Sequence, residues 1–133
     1  MDVSDLKSIP LFAGLPHRAH EQLARRMDVV DVPAGRTLID EGVLAYEFMV
    51  IRHGTAEVTQ AGRHLRDLGP GDYIGEIGLL QEDRRRSATV TTTSPLQALV
   101  MTGPEFRAMV REIPEVGEQI KAAARERLEH TTT

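Results

Sequence analysis

Between residues 29 and 101 the chain is broken into eight short β-prone runs, and this pattern constrains the fold more than any other feature. The runs cover 29–32, 37–39, 47–51, 55–58, 64–68, 73–74, 87–92 and 96–101. None is long enough for a helix of ordinary length, and β-branched and aromatic residues recur within them. Turn chemistry separates them: Pro33-Ala34-Gly35, Glu41-Gly42, His53-Gly54, Ala61-Gly62 and Gly69-Pro70-Gly71-Asp72. Glycine at such places supplies the positive φ that tight turns need. Many short strands at regular spacing, joined by glycine turns, predict a sandwich or barrel.

Helical patterning flanks this block. Over residues 4–27, Leu6, Ile9, Leu11, Phe12 and Leu15 supply apolar contacts that Gly14 interrupts, and Leu23, Ala24 and Met27 continue an apolar stripe. Pro16 stands where it opens a second helix. Helix returns at 102–129. Thr102 and Glu105 have the spacing of a capping box. Phe106, Met109 and Val110 form one face. Pro114 then ends one helix and starts another, and Val116, Ile120, Ala123, Ala124 and Leu128 recur at helical spacing. The expected class is mainly β with flanking α-helices, a single domain over 1–133 with helices at 4–27, the β block at 29–101 and C-terminal helices at 102–129.

Composition removes several function classes. At 133 residues the chain has room for a real core. A formal charge of −4 argues against a nucleic-acid surface, and nothing reads as a recognition helix, so no DNA partner is expected. No apolar run approaches the length that spans a bilayer, and Met1-Asp2-Val3-Ser4-Asp5 lacks the basic and apolar regions of a signal peptide. With no cysteine there is no disulfide framework and no thiolate chemistry. These features point to the cytoplasm, with no membrane partner.

One segment carries chemistry. Gly75-Glu76-Ile77-Gly78-Leu79-Leu80 is followed by Arg84-Arg85-Arg86-Ser87-Ala88-Thr89-Val90. A glycine-bracketed apolar turn offers backbone amides at close approach. Arg86 and Ser87, where a loop enters a strand, add a guanidinium fork and a hydroxyl. Together these suit a phosphate. Glu76 is a carboxylate of the kind that accepts a hydrogen bond from a sugar hydroxyl. The residues describe a pocket for a small phosphorylated sugar. The plainer reading is a tight turn with a salt bridge between Glu76 and one arginine.

The same runs resemble the phosphate-binding cassette of cyclic-nucleotide-binding domains, of the catabolite-activator and protein-kinase-A regulatory-subunit type. The resemblance covers roughly residues 6–128. It includes Leu11-Phe12-Ala13-Gly14-Leu15, the hairpin Pro33-Ala34-Gly35-Arg36-Thr37-Leu38-Ile39 with Glu41-Gly42, the strand pair 51–58 and Gly71-Asp72-Tyr73-Ile74-Gly75-Glu76. It implies a β-roll of the jelly-roll, or double-stranded β-helix, kind with N-terminal helices and C-terminal lid helices. By the resemblance, Arg86 pairs with the cyclic phosphate, and the amides of Glu76, Ile77 and Gly78 open a short helix over it. Ser87 and Ala88 complete the phosphate contacts, Glu76 accepts the ribose 2′-hydroxyl, and Gly75 lets the sugar approach the backbone. Leu79 and Leu80 belong to the core. Arg125, on the last helix, is the candidate base contact or else a surface arginine. The implied ligand is cAMP, with cGMP as the alternative, and no further cofactor is expected.

The resemblance implies a sensor without catalytic residues, acting on an effector domain or protein outside this chain through movement of the C-terminal helix, whose apolar stripe would rest on the open mouth of the roll. One competing reading is a degenerate roll that has lost nucleotide binding and serves as a protein-interaction module. Another is a cupin-like metalloenzyme. That would need clustered ligands, whereas His17, His20, His53, His64 and His130 fall in unlike elements, and His17 and His20 sit among polar neighbours. No metal site is expected.

Overall fold

The computed structural model describes residues 3–42, 47–74 and 88–131. A 3₁₀ helix (Val3–Ser8) leads to α1 (Pro10–Ala13) and α2 (His17–Arg26). Among the described residues eight strands follow: β1 (Asp28–Val32), β2 (Thr37–Ile39), β3 (Glu47–His53), β4 (Ala56–Gln60), β5 (Arg63–Leu68), β6 (Tyr73–Ile74), β7 (Thr89–Thr92) and β8 (Leu96–Thr102). The chain ends in α3 (Gly103–Glu112) and α4 (Pro114–Thr131). Each of the eight predicted strand runs overlaps a strand.

The strands form two four-stranded antiparallel sheets, ordered β1-β8-β3-β6 and β2-β7-β4-β5. The chain crosses repeatedly between them, which makes the roll. Two cores result. Between the sheets lie Ile39, Met49, Ile51, Val58, Ile74, Val90 and Leu96. Outside the first sheet, Phe48, Val50, Leu99 and Met101 meet Phe12, Leu23, Phe106, Met109, Val116 and Ile120 from the helices. β3 therefore buries alternate residues in opposite cores. That is why Phe48-Met49-Val50-Ile51 reads as an unbroken apolar run rather than an alternating one.

Two turns need their glycines. Ala61 and Gly62 join β4 to β5 with φ of 51° and 78°, the two-residue hairpin geometry whose twist matches the strands. Gly54 has φ of 93°, and a Cβ there would strike the Pro95 carbonyl and lie 2.7 Å from Leu96 Cα.

The helical ends differ in detail from expectation. The 4–27 region is three short pieces, because Ile9 and Pro16 are both extended at helix starts. Pro16 precedes α2 as its N-cap instead of being its first residue. The capping box at α3 is half made. The Thr102 hydroxyl accepts the Glu105 N–H at 3.4 Å, but the Glu105 carboxylate accepts from Arg26 at 3.1 Å. Arg26 also bonds Glu112, so one guanidinium ties α2 to both ends of α3. Arg52 of β3 pairs with Asp5 at 2.8 Å and anchors the 3₁₀ helix to the sheet.

His20 is not a surface residue among polar neighbours. It is 2% exposed, and its Nε2 lies 2.6 Å from the Phe12 carbonyl oxygen. Polar Arg18, Glu21 and Gln22 flank it in sequence, but on the helix it shares the buried side with Ala19 and Leu23. The first two residues of the C-terminal stripe also rest elsewhere than expected. Val116 and Ile120 are buried in the helical core with Phe12 and Phe106, not over the mouth of the roll. The reason is steric. Gly117 sits so close to α3 that a Cβ there would lie 2.6 Å from the Val110 carbonyl oxygen, so α4 folds back on α3 at its first turn.

Candidate functional site

Residues 75–87 lie outside the described residues. Of the sequence-predicted site, Gly75, Glu76, Ile77, Gly78, Arg86 and Ser87 are therefore not placed, while Ala88 and Arg125 are. The frame that holds the segment at both ends is described in full.

The entrance is a closed turn. The Asp72 carboxylate accepts the Gly69 N–H at 2.8 Å. The Gly71 N–H donates to the Ile51 carbonyl at 2.8 Å, and the Ile51 N–H donates to the Asp72 carbonyl at the same distance. β6 follows at once, with Met49 opposite Ile74 and Val50 opposite Tyr73. Ile74 is buried between the sheets, and Tyr73 turns to the helical side. Its ring lies 5.8 Å from that of Phe48, which lies 4.7 Å from that of Phe106. Three aromatic rings thus run from the entrance, through β3, to α3.

The exit is in the other sheet. Ala88 is partly buried against the inner core. Thr89 pairs with Thr59, and Val90 with both Val58 and Ile39. At the far end of β7, buried Thr92 donates its hydroxyl to the Pro33 carbonyl at 2.7 Å and accepts the Arg36 N–H at 2.9 Å. At the near end, Glu41 and Thr89 bond reciprocally. The Glu41 N–H donates to Thr89 Oγ1 at 3.2 Å, and that hydroxyl lies 3.3 Å from Glu41 Oε1, which accepts from it. The same carboxylate accepts the Ala61 N–H at 3.0 Å. The candidate segment is therefore strung from one sheet to the other, with both attachment points fixed by buried side chains or short hydrogen bonds.

Arg125 lies on the exposed side of α4. Among the histidines, His64 does join two acids: its Nδ1 lies 2.9 Å from Glu57 Oε2, and its Nε2 lies 4.0 Å from Asp67 Oδ1. This grouping arises because β4 and β5 pair across the Ala61-Gly62 turn, a proximity that sequence spacing does not announce. The acids lie on different ring nitrogens and the cluster faces solvent, which is the arrangement of ordinary surface ion pairs. Glu41, Phe48 and Phe106 were not singled out for the site by sequence reasoning. The partners of Glu41 are 20 and 48 residues away, and no local pattern marks such a contact.

Two of the surface clefts are lined by described residues. One, of about 440 Å³, lies where β1 ends and β8 begins, between Asp31, Pro33, His53 and Leu96. The other, of about 360 Å³, lies between the α1–α2 connection and the start of α4, lined by Pro10, Leu15, Val116 and Gln119. Neither includes the described ends of the candidate segment. Among the described residues, no helix is long and apolar enough to cross a membrane.

Comparison with known proteins agrees with this architecture. The chain is 34% identical over 115 residues to the cAMP-dependent protein kinase regulatory subunit of Eremothecium gossypii, covering 84% of this chain and 24% of that protein. It thus spans about a quarter of that relative's length. The catabolite activator protein of Thermus thermophilus superposes with a TM-score of 0.79 at 26% identity, covering 92% of this chain and 60% of that one. The regulatory subunit of a cAMP-independent protein kinase A from Trypanosoma brucei superposes with a TM-score of 0.83 at 21% identity, covering 92% and 44%. The cyclic nucleotide-binding domain family matches residues 29–112. That match spans more than half of the chain, from β1 through α3, and the chain belongs to this family.

Proposed function

We propose that this chain binds a cyclic 3′,5′-nucleotide, cAMP in the first place and cGMP as the alternative, at the segment strung between the two sheets. The observation that carries the reading is the coincidence of the family match with the Gly75–Gly78 and Arg86–Ser87 residues between two rigid attachment points. The fold alone is not enough, since a protein described as cAMP-independent shares it. The guanidinium of Arg86 stays charged at any working pH and presents a planar fork to phosphate oxygens. Amides of Glu76, Ile77 and Gly78 add donors without adding charge. Ser87 and Ala88 supply a hydroxyl and an amide. A ring-closed 3′,5′-phosphate leaves the 2′-hydroxyl free, and Glu76 accepts it. Gly75 admits the sugar. Arg125 on α4 is the candidate contact to the base.

The chain carries out no reaction of its own in this reading. Binding alters what α4 packs against, and α4 passes the change to an effector domain or protein elsewhere. A cytoplasmic sensor fits the absence of cysteine. Titration calorimetry with cAMP and cGMP tests the reading. The parent chain should bind at least one of them. Arg86→Ala should abolish binding while leaving the fold's thermal unfolding intact, and Arg86→Lys should recover only part. An Arg86→Ala variant that binds as tightly as the parent would show that the segment is not the site.

A further inference from the structure

We infer that the free edge of β1 is a docking strand for an extended, basic segment of another protein, independently of the nucleotide site. β1 is the outermost strand of the first sheet. Its five residues pair with β8 without a register shift, from Asp28 opposite Val100 to Val32 opposite Leu96. Alternate backbone N–H and C=O groups therefore point away from β8, in line, as a template for one more strand. Among the described edges, this one is both regular and long. β6 has two residues and β2 three, and β5 meets β4 with a register shift. β1 is also bare on both faces. Four of its five residues are exposed, and among the described residues Val29 and Val30 are the exposed large hydrophobics, at 41% and 39%.

The charge pattern says what the occupant is. Side chains alternate along a strand, so Asp28 and Val30 point to one side of the sheet and Val29 and Asp31 to the other. A helix or a folded surface laid on either face reaches one acid and one valine. An extended chain running along the edge places side chains against all four. It meets both acids with bases and both valines with apolar residues when it reads base-apolar-apolar-base, an order that is the same in parallel and antiparallel directions. Opposite-charge and apolar cross-strand pairs are the ones that stabilise a sheet. Among the described residues, neither acid makes an ion pair. Asp31 accepts only from the neutral Gln97 amide, at 3.0 Å; Gln97 in turn accepts from Arg52, whose guanidinium is paired with Asp5. Where β1 ends, the cleft between Val32, Pro33 and Leu96 receives an apolar residue next to the base that faces Asp31. The same acids select against a second copy of the chain. β1 paired with β1 so that Val29 meets Val30 also sets Asp28 opposite Asp31, and the chain carries −4 overall. β5 of a second copy offers Arg63-His64-Leu65-Arg66, but Glu57 and Asp67 lie beside its His64 and bring two more acids to the contact.

The test uses the full chain without nucleotide. The probes are synthetic peptides blocked at both ends, with Lys-Val-Val-Lys, the scrambled Val-Lys-Lys-Val or Glu-Val-Val-Glu between threonine flanks. Fluorescence anisotropy of the labelled peptide reads affinity, and amide hydrogen exchange reads the place. Lys-Val-Val-Lys should bind about tenfold tighter than its scramble, and Glu-Val-Val-Glu should not bind. Its binding should slow exchange in β1 and leave β5 and α4 at their free rates. Asp28→Lys falls at an exposed position and keeps the fold. It should weaken Lys-Val-Val-Lys by about tenfold and turn the preference to Glu-Val-Val-Lys, whose acid meets the new base. Equal affinity for Lys-Val-Val-Lys and its scramble would reduce the edge to general charge attraction and overturn the inference. Absence of binding, protection away from β1, or an unchanged preference in Asp28→Lys would overturn it too. Self-association of the parent without peptide, with exchange slowed in β1, would give the edge to a second copy and overturn it as well.

Discussion

Phe48→Leu isolates the aromatic connection between the binding segment and the helices. Phe48 is fully buried, and its ring contacts Tyr73 at 5.8 Å and Phe106 at 4.7 Å, both tilted. Each such pair contributes about 0.5–1.5 kcal/mol beyond the area it buries. Leucine fills most of the space and keeps the burial, so the loss is about 1–3 kcal/mol from the two pairs, plus a fraction of a kcal/mol for the residual cavity. In a domain of this length each kcal/mol moves the unfolding midpoint by about 3–4 °C, so the variant should unfold about 5–12 °C below the parent. Circular dichroism during heating measures this directly. The assay should include Phe106→Leu and the double variant. If the rings act as a chain, the double variant loses less than the two singles together, by about 0.5–1.5 kcal/mol. A midpoint within about 1 °C of the parent, or strictly additive losses, would refute the claim that these rings couple β3 to α3.

Two further outcomes are expected. Glu76→Gln should narrow the preference for cAMP over its 2′-deoxy analogue in titration calorimetry, since the carboxylate is the acceptor for the 2′-hydroxyl in the proposed site; a preference as wide as the parent's would remove that role. In hydrogen exchange, saturating cAMP should change protection in α4 beyond Ile120 while the amides of Val116 to Ile120 stay close to their ligand-free rates; unchanged exchange throughout α4, with the binding segment protected, would leave binding without an output through this helix.

Much of the fold was legible because its punctuation is local. Each turn glycine announces itself next to a short β-prone run, and Ala61-Gly62 needs only two residues to specify a hairpin. The continuous apolar run of β3 was legible as a strand, but not as a strand buried twice, because that depends on helices more than 20 residues away covering its outer face. His20 was misread for the same reason. The neighbours that decide its environment are Ala19 and Leu23 on its own helix and the Phe12 carbonyl from another, whereas Arg18, Glu21 and Gln22 around it in sequence are polar. Glu105 was read as a cap for its own helix, and Arg26, 79 residues away, claims its carboxylate instead. In the candidate site, residue types were legible and positions were not. Arg86-Ser87 and Gly75-Glu76 state a chemistry by their identities, while the tether of Glu41 to Thr89 exists only once β2, β4 and β7 have assembled.

The placement of the two attachment points bears on how a binding event becomes a signal. The entrance of the segment belongs to the first sheet, whose outer face carries the helices; the exit belongs to the second sheet, which packs on the roll interior. Of the two attachment points only the entrance touches the helical side, where Tyr73 lies beside Phe48 and Phe48 beside Phe106, so a signal from the proposed site would reach the helices there. α3 is the first helix to feel this. α4 cannot respond independently over its first turns, because Val116 and Ile120 are buried in the same core and Gly117 lies against Val110 of α3. Freeing Ile120 alone would expose a fully buried side chain, at a cost of about 1.5–3 kcal/mol. It is less costly for α3 and the start of α4 to shift together as a packed pair, with Pro114 between them, than for α4 to peel away. In the proposed site, differential contact with the ligand would then act on the part of α4 that extends past this pair, which is where Arg125 lies.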